Sequence, residues 1–141
     1  LQKKILSRIV AIDFGTKRSG IAVTDPMKII ASGLCTVPTS ELMDYLKNYI
    51  KNESVECIVF GLPKQMNNQD SQSEVHIKEF VTTLQKEMPS MKIERQDERF
   101  TSKMAFDTMI ASGLKKEKRK DKALIDEISA TIILQDYLNK K

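Results

Sequence analysis

Apolar residues fall in short runs early in the chain and at helical spacing later. Arg8 to Asp13 (Arg-Ile-Val-Ala-Ile-Asp) is an apolar run that ends in a carboxylate, and Ser19 to Asp25 is a second. Gly15-Thr16-Lys17-Arg18 joins them and is short enough for a hairpin. Ile29 to Val37 predicts a third strand. Pro38-Thr39-Ser40 then offers a helix start, with Leu42, Leu46, Tyr49 and Ile50 at helical spacing. Val55 to Phe60 is mostly apolar without alternation and closes on Gly61-Leu62-Pro63, as expected of a central parallel strand covered on both faces. Lys64 to Ser73 is polar and reads as a loop. Ile77, Phe80, Val81, Leu84 and Met88 mark an amphipathic helix that Pro89 stops, and Met91 to Gln96 alternates as a short strand. Thr101 or Ser102 caps a helix ending near Gly113, and Ala123 to Asn139 is a final helix.

The predicted order is three strands in a meander, then helix, strand, helix, strand, helix, helix. Strand–helix–strand steps require crossovers, so the later strands run parallel, and the result is a mixed sheet flanked by helices, an α/β domain. A length of 141 residues suits one domain over 1–141. No repeat or linker divides it. Residues 1–6 ahead of the first strand are expected to be unstructured or an addition to the natural chain.

Composition narrows the function classes. With 40% hydrophobic and 30% charged residues the chain is in the globular range, and 5 Gly and 4 Pro exclude collagen-like or low-complexity sequence. No run approaches the roughly 20 apolar residues of a membrane span, and no secretory core precedes Ser7, so a cytoplasmic address is expected. Cys35 and Cys57 form no CxxC pair and are expected to be reduced and buried. His76 is the single histidine and lies in a polar helical stretch, on a solvated face. One histidine excludes zinc sites that need two. Any catalysis therefore falls to carboxylates or lysines.

The net charge is +4. Six of the 23 basic and two of the 19 acidic residues lie in Lys115–Lys122, so the rest of the chain is balanced. A cationic segment on a neutral body suits a polyanionic partner, because neutralising phosphates drives sequence-independent nucleic-acid binding; a solvated loop that aids solubility has the same composition.

Three carboxylates stand out. Asp13 closes a strand expected to be buried, and a buried carboxylate needs a partner unless it caps the Gly15-Thr16 turn. Asp126 shares a helical stripe with Ala130, Ile133 and Tyr137, either helping the helix dipole or facing a cation across the sheet. Asp97-Glu98-Arg99 follows the last predicted strand and precedes the Thr101-Ser102 cap, where α/β sheets place ligands, although a local salt bridge or a capping cluster would read the same. Asp13, Glu98 and Asp126 are oxygen ligands suited to Mg²⁺ or Mn²⁺. Two such ions about 4 Å apart stabilise the attacking and leaving oxygens of an in-line phosphoryl displacement. Lys17 and Arg18 beside Asp13, and the basic segment, strengthen that reading.

Four segments in order resemble the YqgF/RuvX family of the ribonuclease H-like superfamily, related to the RuvC resolvases. They are Ile12 to Val23 (Ile-Asp-Phe-Gly-Thr-Lys-Arg-Ser-Gly-Ile-Ala-Val), Val59-Phe60-Gly61-Leu62-Pro63, Asp97 to Ser102 (Asp-Glu-Arg-Phe-Thr-Ser), and Ile125-Asp126 with Ile133-Leu134-Gln135. The resemblance implies a single-domain ribonuclease H-like fold with a five-stranded mixed sheet. It implies a metal-dependent nuclease of pre-16S rRNA 5′-end maturation, or a Holliday junction resolvase acting on branched DNA, leaving a 3′ hydroxyl and a 5′ phosphate. Asp13, Glu98 and Asp126 match the acidic catalytic and metal-binding positions, with Mg²⁺ or Mn²⁺ as cofactor. Lys17, Arg18, Arg99, Lys115, Lys116, Lys118, Arg119, Lys120 and Lys122 are the expected nucleic-acid contacts. The expected partners are pre-rRNA or branched DNA and ribosomal precursor particles, with no membrane, for a monomer or homodimer. The chain departs from the family pattern after Pro63, where glycines are missing, and at Glu127-Ile128-Ser129-Ala130, where a small-residue pair is usual.

Two rivals belong to other classes. Asp13-Phe14-Gly15-Thr16 also resembles the first phosphate loop of actin-like and sugar-kinase ATPases, which close two such domains over a nucleotide; 141 residues cannot build that cleft. A non-catalytic nucleic-acid-binding module would bind with salt sensitivity and survive loss of the carboxylates.

Overall fold

The computed structural model describes residues 6–62, 73–97 and 122–140. Strand β1 (Arg8–Asp13) is central. It pairs antiparallel with β2 (Arg18–Thr24), which pairs antiparallel with the edge strand β3 (Ala31–Pro38). A 3₁₀ turn (Thr39–Glu41) leads into α1 (Leu42–Asn52). Then β4 (Val55–Leu62) lies parallel to β1, α2 (Ser73–Glu87) follows, and β5 (Lys92–Asp97) lies parallel to β4. Helix α3 (Lys122–Asn139) completes the described chain. The sheet order is β3-β2-β1-β4-β5, so the five-stranded mixed sheet and the parallel placement of β4 agree with expectation. The expected helix from Thr101 to Gly113 and the loop to residue 72 lie outside the described residues.

The two faces of the sheet carry different side chains. Val10, Ile12, Ile21, Ile58 and Phe60 meet Leu42 and Leu46 of α1 and Ile77 and Leu84 of α2. On the other face Ile9, Ala11, Ala22, Cys57 and Val59 meet Ala130, Ile133, Leu134 and Tyr137 of α3. Strand alternation sorts the residues; the small ones on the second face let α3 lie close to the sheet, in contact with all five strands. The stripe of Ala130, Ile133 and Tyr137 predicted from spacing is the face that packs. Burial, with the Cys57 thiol beside it, pushes the Tyr137 phenol up.

Two expectations need correction. Strand β3 starts at Ala31, not Ile29. The Asp25 carboxylate accepts hydrogen bonds from the backbone N–H groups of Met27 (3.1 Å), Ile29 (2.8 Å) and Ile30 (2.7 Å), folding residues 25–30 into a turn with Lys28 at φ 60°. Cys35, expected to be buried, is half-buried because it sits on the edge strand; both cysteines are free. The Ile30 amide above all, helped by those of Ile29 and Met27, holds the Asp25 carboxyl below the usual aspartate range. A depressed folded-state pKa stabilises the turn above the unfolded value of 3.8 and loses that contribution as pH falls through the lower folded value. Amide exchange at Ile29 and Ile30 is therefore expected to accelerate below that pH in the wild type. Asp25→Ala should show fast exchange at neutral pH; slow exchange there would disprove the role of the carboxylate.

At the opposite end of the sheet Arg95 of β5 ties α2 to β4. It donates to both carboxylate oxygens of the buried Glu74 (2.8 and 2.5 Å), to the Gly61 carbonyl (2.8 Å) and to the Phe60 carbonyl (3.4 Å). A bidentate pair with two further donors on backbone carbonyls can be held with little exposure, and it joins α2 to the ends of β4 and β5.

Candidate active site

The site grows from the carboxyl-terminal ends of the parallel strands. Asp13 is the last residue of β1 and lies opposite Gly20 of β2, which lies opposite Thr36 of β3. In the other direction Ile12 pairs with Phe60, so the register sets Asp13 level with Gly61, which pairs with Gln96 of β5. By alternation Asp13 continues the line of Ile9 and Ala11, on the α3 face. It is half-buried and flanked in this row by two glycines.

Gly20 is what brings the second carboxylate in. A Cβ there would fall 2.1 Å from the Asp126 carbonyl oxygen and 2.9 Å from the Glu127 nitrogen, so the backbone of α3 rests directly on β2. Asp13 and Asp126 thus share Gly20 as a neighbour on one face. Arg18, at the start of β2, donates from Nε to Oδ2 of Asp126 at 2.5 Å. The Asp126 side chain is 22% exposed and that of Arg18 is 37% exposed. The cation expected across the sheet from Asp126 is Arg18 itself, from the hairpin that carries Asp13.

The turn between Asp13 and Arg18 is held by hydroxyls. Thr39 donates from Oγ1 to the Gly15 carbonyl (2.5 Å) and from its backbone N–H to the Lys17 carbonyl (3.0 Å), and Ser19 Oγ lies 2.8 Å from Thr39 Oγ1. Lys17 is exposed on this turn.

Glu98, Arg99, Lys115, Lys116, Lys118, Arg119 and Lys120 lie outside the described residues. Lys122 opens α3. Among the described residues no three His, Cys, Asp or Glu side chains form a metal-ligand group. Two observations bear on whether a hard cation fits. Asp13 and Asp126 offer carboxylate oxygens over a floor of glycine, and the buried Gln96 Oε1, in the row of Asp13, has no hydrogen-bond partner among the described residues. An all-oxygen donor set of this kind suits Mg²⁺ or Mn²⁺ and not a thiophilic ion.

A family profile described as RuvX, Holliday junction resolvase, matches residues 7–140. The chain belongs to the RuvX family. A relative from Bacteroides fragilis, provisionally named a pre-16S rRNA nuclease, is 61% identical over 136 residues, 96% of this chain and 99% of the relative. Relatives with the same name from Christiangramia forsetii (61% over 133 residues, 94% and 98% coverage) and Flavobacterium johnsoniae (60% over 136 residues, 96% and 99% coverage) are similar throughout. The RuvX match takes in Asp13, Glu98, Asp126 and the basic segment. At the departure on the last helix, Ser129 and Ala130 are both buried, Ala130 against the sheet.

Sequence reasoning did not single out Gly20, Gln96 or the Glu74–Arg95 pair. A glycine inside a strand pattern is a signal of close backbone approach, and Gly20 carried it. Nothing local marks Gln96, whose setting depends on strand pairing.

Proposed function

We propose that this RuvX-family chain is a nuclease that hydrolyses phosphodiester bonds in the 5′ end of pre-16S rRNA, acting in the cytoplasm. The observation that carries the reading is that Asp13 and the Asp126 backbone both lie beside Gly20 at the carboxyl-terminal rim of the sheet, with Arg18 paired to Asp126. The names of the relatives support the rRNA substrate.

Asp13 and Asp126, joined by Glu98, would hold Mg²⁺ or Mn²⁺. Bound there, such an ion supplies charge neutralisation at the phosphate and a water of lowered pKa. The remaining work belongs to the chain. Arg18 orients the Asp126 carboxylate through its Nε–H, and fixing a carboxylate in one rotamer is what preorganises a ligand. Lys17, exposed on the anchored turn, would neutralise a flanking phosphate, and the basic segment Lys115–Lys122 would add sequence-independent grip.

The family description supports branched DNA as a second substrate. A cleavage assay decides between them. The protein is offered a precursor-rRNA 5′ fragment or a four-way DNA junction, each with Mg²⁺, Mn²⁺ or EDTA. Cutting of the RNA, lost in EDTA, is expected. Cutting of the junction alone would move the substrate to DNA. Tight binding without cutting of either would replace the nuclease with a binding module.

A further inference from the structure

On the sheet face away from α3, beside the turn that follows Asp13, lies an open groove of about 520 Å³. That volume is in the range that takes a small ligand. Its apolar wall is made by Phe14 and Phe80, with ring centroids 5.5 Å apart and planes tilted by 53°. Phe60 lies behind Phe80 at 5.8 Å, so the wall is backed by core. The polar margin carries Thr16, His76, Glu79 and Thr83. Among the described residues lining the groove there is no lysine or arginine, and Glu79 brings negative charge. Such a surface repels a phosphate. It suits a flat neutral ring with N–H donors for a carboxylate and edge groups for hydroxyls and an imidazole.

We infer that this groove takes an unpaired nucleobase of the substrate, within two nucleotides of the cut. The inference rests on the nuclease reading and adds to it the requirement for a single-stranded base next to the reacting phosphate. Asp13 and Phe14 are consecutive, so their Cα atoms are about 3.8 Å apart. Asp13 belongs to the α3 face and Phe14 packs with the cluster on the other, so a strand crossing the rim can set a phosphate on one side and its neighbouring base on the other. The wall is rigid before any base arrives, since Thr39 holds the turn at the carbonyls of Gly15 and Lys17. A preorganised aromatic wall gives stacking without the cost of ordering a loop. It also gives a use to the only histidine, which otherwise sits on an exposed helix face.

The test uses the full chain and a set of single-stranded precursor-rRNA fragments, each with an abasic nucleotide at one position near the cut. For the wild type, one abasic position within two nucleotides of the cut should raise KM about tenfold, with kcat little changed. Thr83→Met, an exposed helical substitution that lays an apolar chain over the rings, should raise KM for the intact fragment and be indifferent to that abasic position. In parallel, 2-aminopurine at that position should be quenched on binding in EDTA to the wild type and not to Thr83→Met. A flat response to every abasic position, or equal quenching by both proteins, overturns the inference. Failure of the wild type to cut any fragment overturns the nuclease reading instead, and 2-aminopurine scanned along the fragment, quenched at one position by the wild type and not by Thr83→Met, then decides the groove by itself.

Discussion

Asp13→Asn should slow phosphodiester cleavage by at least about 100-fold while leaving fold and binding intact, a loss no smaller than those typical when groups that merely support metal ligands are changed. The amide is nearly isosteric with the carboxylate and keeps one oxygen, so the half-buried strand end has no reason to rearrange. What it removes is the negative charge at the centre of the row from Gly20 to Gln96. Single-turnover cleavage reports the loss, and anisotropy in EDTA with thermal melting checks that binding and Tm are kept. A wild-type rate in the variant would take Asp13 out of the site. Asp126→Asn should also be slow, and in addition weakens the pair with Arg18. That pair is partly exposed, so its contribution to stability is on the scale of about 0.5 kcal/mol.

Gly20→Ala should cost about 2 kcal/mol of stability and lose more activity than that destabilisation explains. The new methyl would meet the Asp126 carbonyl at 2.1 Å and its carbon at 2.4 Å, both backbone atoms that cannot rotate aside. Helix α3 has to lift or slide, and it carries Asp126 with it. A displacement of about 1 Å at a reacting centre can cost 100-fold in rate. Gly33→Ala is the matched control: the nearest atoms its methyl would meet belong to the Glu127 side chain and not to backbone, so stability and rate should stay closer to wild type. Denaturant melts and cleavage rates of the two variants make the comparison. Equal behaviour would mean that the α3–β2 contact does not set the position of Asp126.

Much of the fold was readable because burial follows period. The hairpin of β1 and β2, the doubly covered β4 and the stripe of Ala130, Ile133 and Tyr137 all announce themselves in the order of apolar residues. Ile29 and Ile30 misled for a physical reason: they are apolar yet 69% and 61% exposed, because a single carboxylate, Asp25, takes the amides a strand would have used. Asp13 and Asp126 were readable as candidate carboxylates by type, and both lie beside Gly20 on the α3 side of the sheet. What brings them there was not readable, since the contacts of Gly20 with Asp126, and of Arg18 with Asp126, join parts of the chain more than a hundred residues apart. Glu98, the third carboxylate, lies outside the described residues.

Helix α3 lies against all five strands and carries Asp126, one carboxylate of the candidate site. Truncation of the chain ahead of Lys122 would therefore do two things at once. It would remove Asp126, and it would bare Ile9, Ala11, Ala22, Cys57 and Val59 as a contiguous apolar sheet face. A truncated copy would lose a candidate ligand and expose an apolar face together. The surface that condemns it to chaperones and further proteolysis is the one its missing helix used to cover.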